Sequence, residues 1–187
     1  MIIDILKDAG LAAPTTAEAL IKAATALSKD GVYGFTIQAT SYQNIVDVAR
    51  MWNGDFITAD YKLAVTGPGM TKAIETLTDF YSKGVLPKSW ATTTGTDITN
   101  WMQSGRAAMT ISSCGDNQAF NKADASKEAG NIQTVPLPIS ESLKAQFANA
   151  PAKVEFWSMT IPKNSKHKDV AWKFIKDMKA ASPHIEL

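Results

Sequence analysis

Runs of apolar residues at helical spacing alternate along this chain with short runs of β-branched and aromatic residues. That alternation constrains the fold more than any other feature, because it demands helices packed on a sheet. Leu20, Ala23, Ala24 and Leu27 recur at helical spacing, as do Ile45, Val48, Ala49 and Trp52, and Met70, Ile74, Leu77 and Phe80-Tyr81. A final helix is expected over 169–180, with Val170, Phe174, Ile175 and Met178 inward. Between them, 32–37, 107–112, 132–135 and 154–161 read as strands, and 56–65 carries weaker strand signals.

Local signals set the boundaries. Residues 2–9 predict a short helix stopped by Gly10. Thr15 or Thr16 can cap the next, and Glu18 stands three residues after Thr15, a capping-box spacing. Ser41 and Asp97 are expected caps, and 115–127 is expected to be helical. Asn53-Gly54-Asp55 is a turn, and Gly84 ends the 70–83 helix. The segment 139–152 is ambiguous, with a helical excursion as one reading. No long linker divides the chain, so 1–187 is expected to form a single α/β lobe.

Composition removes several functions. Of 187 residues, 19 are basic and 18 acidic, giving a net charge of +1, with no basic block interleaved with aromatics, so nucleic acid is a poor partner. No apolar run is long enough to insert in a membrane. Cys114 is the single cysteine, which excludes an internal disulfide and a multi-cysteine metal site. Ser113 and Cys114 invite a nucleophile reading, but the two histidines, His167 and His184, fall in a lysine-rich turn and in the tail. A nucleophile needs an oriented base, so no enzyme is expected. Phosphate-loop, paired-histidine and dinucleotide motifs are absent, and no cofactor is expected.

The stretch Phe156-Trp157-Ser158-Met159-Thr160-Ile161-Pro162-Lys163-Asn164-Ser165-Lys166-His167-Lys168, followed by Ala171-Trp172-Lys173-Phe174-Ile175, resembles a signature of the extracellular solute-binding proteins of ABC importers, in their carbohydrate-binding family. Further blocks resemble the same family in order: Ala9-Gly10-Leu11 with Pro14-Thr15-Thr16, Gly31 to Phe35, Asn53 to Phe56, Ala73 to Gly84 with Pro87, Gly105 to Met109, and Ala129 to Pro138. The resemblance implies a three-layer α/β/α lobe of the periplasmic binding protein type II kind. It matches the second of two lobes. The N-terminal lobe has no counterpart, which would also account for the missing features of a secretory signal in Met1 to Asp8. The implied partners are a sugar or polyol ligand, the missing lobe and the membrane subunits of an ABC permease. The parent would work in the periplasm, or outside the cell as a membrane-anchored protein. The rival expectation is a free-standing interaction or scaffold domain that keeps the lobe fold without ligand capture.

Sugar receptors stack pyranose faces on aromatic rings and meet hydroxyls with Asp, Asn, Gln and Arg. Trp157, at a strand entry where the family places a cleft residue, is the first candidate, with a core tryptophan as the alternative. Trp52, at a helix end, is a second candidate against simple packing. Trp172 reads as packing, Trp101 as half-exposed, and Trp90 as a cleft or rim residue. Ser112 to Asp116 lies at a strand end that opens a helix, where open α/β sheets place ligands. Ser113 stands where relatives carry a tryptophan, removing a stacking platform. Asp116 is a ligand candidate or a helix-start acid. Gln38 and Tyr42 lie in the other strand-to-helix turn, as ligand contacts or as solvated loop. The 163–168 lysine run is a solvated turn or a permease contact.

Overall fold

In the computed structural model, residues 1–152 and 158–181 are described. The chain divides into two compact units, Met1–Lys153 and Val154–Leu187.

The first unit begins with helix α1 (Ile3–Asp8), ended by Gly10 at φ 68°. Helix α2 (Ala17–Leu27) is capped by Thr16, whose side chain accepts from Ala19 N at 3.1 Å. Its expected inward residues Leu20, Ala23, Ala24 and Leu27 are buried. Glu18 does not close a capping box. With Thr16 as the cap, Glu18 points elsewhere: it accepts from Ser140 Oγ at 2.6 Å and Glu141 N at 2.9 Å, tying α2 to a segment over 120 residues away. Burial acts to raise the Glu18 pKa, but those two hydrogen bonds, its own backbone and the Lys72 charge outweigh it and hold the carboxyl below its ordinary range.

Helix α3 (Tyr42–Arg50) buries Val46, Val48 and Ala49, while Ile45 and Trp52 pack half-buried against the same core. Ser41 precedes it without a side-chain cap bond. Helix α4 (Pro68–Ser82) starts with Pro at N1, where no N–H is needed, and runs to Lys83 and then Gly84 at φ 72°. Met70, Ala73, Leu77 and Phe80 form its buried face. Ile74 and Tyr81, expected in that stripe, are exposed, because the face turns through Ala73 and Thr76 instead. Helices α3 and α4 pack together, and two glycines permit it: a Cβ on Gly69 would lie 2.5 Å from the Gly54 Cα. Arg50 donates to Asp55 at 3.0 and 3.2 Å and to Asp47 at 3.3 Å, and Asp55 accepts Phe56 N at 2.7 Å, so the 53–56 turn is fixed to the end of α3.

Helix α5 (Gly95–Gln103) is capped by Thr94, not by Asp97; Asp97 is the third residue of a capping box that returns its carboxylate to the Thr94 N–H at 2.8 Å. Helix α6 spans only Asp116–Phe120, and the remainder of 121–127 is turn. Asn121 explains the early stop. Its side chain donates to Ile132 O at 3.0 Å and accepts from Gly130 N at 2.8 Å, pulling the chain off the helix. The 139–152 segment holds one short 3-10 turn, Glu141–Leu143.

The expected strands pair through isolated bridges among the described residues. Tyr33 pairs with Ala107 and Thr36 with Thr110, both parallel, and Ile2 pairs antiparallel with Ile132. Ala108 joins the two sets: its N–H donates to Tyr33 O at 2.9 Å and its carbonyl accepts Ile2 N at 2.9 Å. The core gathers beside these segments, with Phe35 and Phe80 in ring contact at 5.5 Å. A smaller cluster joins Ile2, Ile98, Met102, Ala107, Phe120 and Ile132.

The second unit contains helix α7 (Lys168–Ala181). Val170, Phe174 and Met178 were expected inward and Trp172 in packing, yet all four are exposed, Phe174 by 60%; only Ile175 is half-buried. A single described helix cannot cover its own apolar stripe. Residues 154–157 of the expected 154–161 strand lie outside the described residues, and Ser158 to Ile161 has no regular structure.

Two substitutions test this packing. A Cβ at Gly34 would lie 1.8 Å from the Ala24 carbonyl oxygen in α2. Gly34→Ala is expected to cost about 2 kcal/mol or more, because backbone must yield. Gly10→Ala, with φ 68° and open space, should cost only about 1 kcal/mol. Urea denaturation of both proteins checks the order. Glu18→Gln should destabilise the fold by about 1 kcal/mol at neutral pH. Since the folded Glu18 pKa is lowered, the wild-type advantage is full above the ordinary carboxylate range and lost as pH falls through the lower folded value. Melting both proteins between neutral and acid pH reads that convergence.

Candidate functional site

Parallel pairing of 33–36 with 107–110 sends both segments out at the same end. Gln38 follows the first and Ser112 the second, each two residues past its last bridge. A concavity of about 440 Å³ opens there, within the ~300–1,000 Å³ usual for small-molecule sites. Gln38, Asn44, Ser112 and Asp116 line one part of it, and Gly95, Thr96 and Thr99 another. Ile98, Ile111 and Phe120 supply its apolar wall.

Each polar group is positioned by local chemistry. Asn44 is held near the start of α3, where its Nδ2 donates to Gln38 O at 3.4 Å. Gln38 Nε2 donates to Thr40 Oγ1 at 2.9 Å. Asp116 opens α6 and accepts from the Ser112 hydroxyl and from Ser113 N at 3.2 Å, closing the 112–116 turn. The Thr94 capping box fixes the start of α5 and with it Gly95, Thr96 and Thr99. Hydrogen bonds from the Thr94 side chain and then its backbone lower the Asp97 pKa below the usual carboxylate range. Among the described residues no group of His, Cys, Asp and Glu could hold a metal ion. Cys114 is exposed within the 112–116 turn.

The expected site residues separate. Gln38 and Asp116 line the cavity together. Ser113 flanks it through its backbone N–H on Asp116. Tyr42 is 64% exposed with its ring 5.4 Å from that of Phe56, and it is not among the lining residues. Trp52 packs half-buried on the main core. Trp157 lies outside the described residues. Trp90 donates its indole N–H to Ile37 O at 3.0 Å, and Trp101 meets the Tyr33 ring at 5.5 Å with the two planes tilted by 58°. Sequence reasoning missed Asn44, Thr96 and Thr99 as lining residues, and it had Ser112 only as the start of the 112–116 strand end. The Thr94-x-x-Asp97 spacing before Ile98 was the available signal for the α5 part.

A helix start, two extended-segment ends and polar side chains surround a cavity of small-molecule size. The chain belongs to the family of bacterial extracellular solute-binding proteins, whose family model matches residues 1–181. Proteins of this family are not enzymes. An ABC transporter solute-binding protein from Agrobacterium radiobacter K84, solved with ribitol, is similar at TM-score 0.80 and 22% identity, over 94% of this chain and 45% of that one. One from Thermotoga lettingae TMO, bound with alpha-D-tagatose, gives TM-score 0.74 and 23% identity, over 92% of this chain and 44% of the other. A third, from Agrobacterium vitis S4 with D-mannitol, gives 0.70 and 20%, over 92% and 42%. These likenesses show the periplasmic binding protein type II fold. The chain spans less than half the length of each. No curated protein matches it by sequence.

Trp90→Phe separates packing from ligand roles. Losing the indole N–H leaves the Ile37 carbonyl without that partner, and chemical denaturation should show a loss of about 1 kcal/mol in the absence of any ligand.

Proposed function

We propose that this chain is the ligand-holding C-terminal lobe of a carbohydrate or polyol receptor serving an ABC importer. The observation that carries the reading is the cavity where the paired segments end, with Gln38, Asn44, Ser112 and Asp116 converging on it. Hydroxyl-rich guests are held by such carboxamides, hydroxyls and carboxylates. The ligands named for the similar structures are ribitol, tagatose and mannitol, which supports the same chemical class. Tyr42, exposed near the same turn, supplies a ring for the rim, and Trp157, Trp52 and Ser113 remain proposed contacts.

In this reading the lobe is three-layered, α/β/α, and closes with a second, N-terminal lobe around the ligand, so that affinity comes from both faces. The parent acts outside the cytoplasm and delivers its ligand to permease subunits. No described helix is long and apolar enough to cross a membrane. Exposed apolar groups at Tyr42, Ile57, Tyr61, Leu63 and Val65 support a surface that another part of the parent covers.

Calorimetric titration of the chain with ribitol, mannitol and tagatose tests the reading. Binding is expected at about 1 mM or weaker, because half the cleft is absent. Asp116→Ala and Asn44→Ala should each remove it while leaving the fold intact by circular dichroism. Micromolar affinity would overturn the half-cleft reading. No saturable binding of any sugar or polyol, at any concentration reached, would favour the free-standing interaction domain.

A further inference from the structure

The cavity lining has spent several of its donors on the protein and kept acceptors. The Ser112 hydroxyl donates to Asp116. The Thr99 hydroxyl donates to Gly95 O at 3.0 Å. Gln38 Nε2 and Asn44 Nδ2 each give an N–H to neighbouring protein oxygens, at 2.9 and 3.4 Å. A guest therefore meets the remaining lone pairs of Ser112 and Thr99, the amide oxygens of Gln38 and Asn44, and the Asp116 carboxylate. Neither lysine nor arginine lines the cavity among the described residues.

We infer that the cavity selects neutral polyhydroxy compounds and rejects their anionic counterparts, the uronates and sugar phosphates. The inference rests on the carbohydrate reading above and adds a charge rule to it. A neutral sugar hydroxyl donates into this lining and accepts from the remaining amide N–H groups. A carboxylate or phosphate brings acceptors to acceptors and a negative charge to Asp116, with no cation to compensate. Arg or Lys would be required to hold such an anion.

NMR titration of the whole isotope-labelled chain tests this rule. The probes are glucose against glucuronate and glucose 6-phosphate, and mannitol against mannitol 1-phosphate, at matched ionic strength. The side-chain amides of Gln38 and Asn44 and the backbone amides of Thr96 and Ser112 report occupancy. At least one neutral probe should give saturable shifts, and its anionic partner should bind at least about tenfold more weakly. Asp116→Asn should narrow that gap to within about threefold. Thr96→Lys, which places an ammonium at the exposed edge and leaves the 112–116 turn untouched, should narrow it as well, and it serves if Asp116→Asn does not fold. An anion binding as tightly as its neutral partner to the wild type, or a gap that neither folded variant changes, would overturn the charge rule while leaving the carbohydrate reading in place. If no probe of either class shifts these amides, both fall together.

Discussion

The parallel pairing of two short segments, 33–36 with 107–110, is the constraint on which the rest of this structure depends. Two parallel segments release the chain at the same end, whereas antiparallel ones would release it at opposite ends. Gln38 and Ser112 therefore meet, although 73 residues of chain lie between them and carry the helices α3, α4 and α5. Ala108 anchors the arrangement by bonding Tyr33 on one side and Ile2 on the other. Few bridges suffice because the segments are pinned by what packs beside them. Phe35 and Ile37 enter the main core, and Ala107 enters the smaller cluster with Ile98 and Phe120. The cavity wall uses Ile98 and Phe120 from that same cluster, so the floor of the site is continuous with a core.

Long-range tethers then keep the elements in place at small cost in side-chain area. Glu18 holds the 140–141 turn against α2, and Ser140 N returns a bond to Met51 O at 2.7 Å. Ala17 N meets Ile139 O at 3.1 Å in the same region. Where two backbones come close, glycine is the only residue that fits: Gly34 against α2, and Gly54 against Gly69. Arg50 adds a partly buried charge network at the α3–α4 junction, with Asp47 and Asp55 as its acceptors. Such a network fixes the geometry of the junction more than it adds stability.

Local chemistry was legible where the residues deciding it are neighbours. Gly10, Gly84 and the buried face of α2 follow from spacing and capping rules alone, and the same rules narrow the α2 cap to Thr15 or Thr16. The stripe of α4 was legible only in part: periodicity includes Ile74 and Tyr81, but which arc of a helix is covered depends on the elements opposite it. Glu18 shows the same limit. Its spacing from Thr15 suits a capping box, and only the arrival of Ser140 and Glu141 gives its carboxylate a better partner. Half of the proposed site was readable, because Gln38 and Asp116 each follow a strand-like run. Asn44, Thr96 and Thr99 were not, since nothing near them in sequence says that α5 packs across the ends of both runs.

By itself the sequence determined the alternation of element types, most helix boundaries and the family to which the chain belongs. All of these rest on interactions among residues a few positions apart, or on motifs in a fixed order. Tertiary structure alone decided that the indole of Trp90 is spent on Ile37, that Trp52 faces a core, and that the cavity keeps acceptors and, among the described residues, no cation. Each of these depends on which distant group consumes a donor or covers a ring. Hydrogen bonds are short and directional, so that allocation exists only once the backbone has brought the groups within reach.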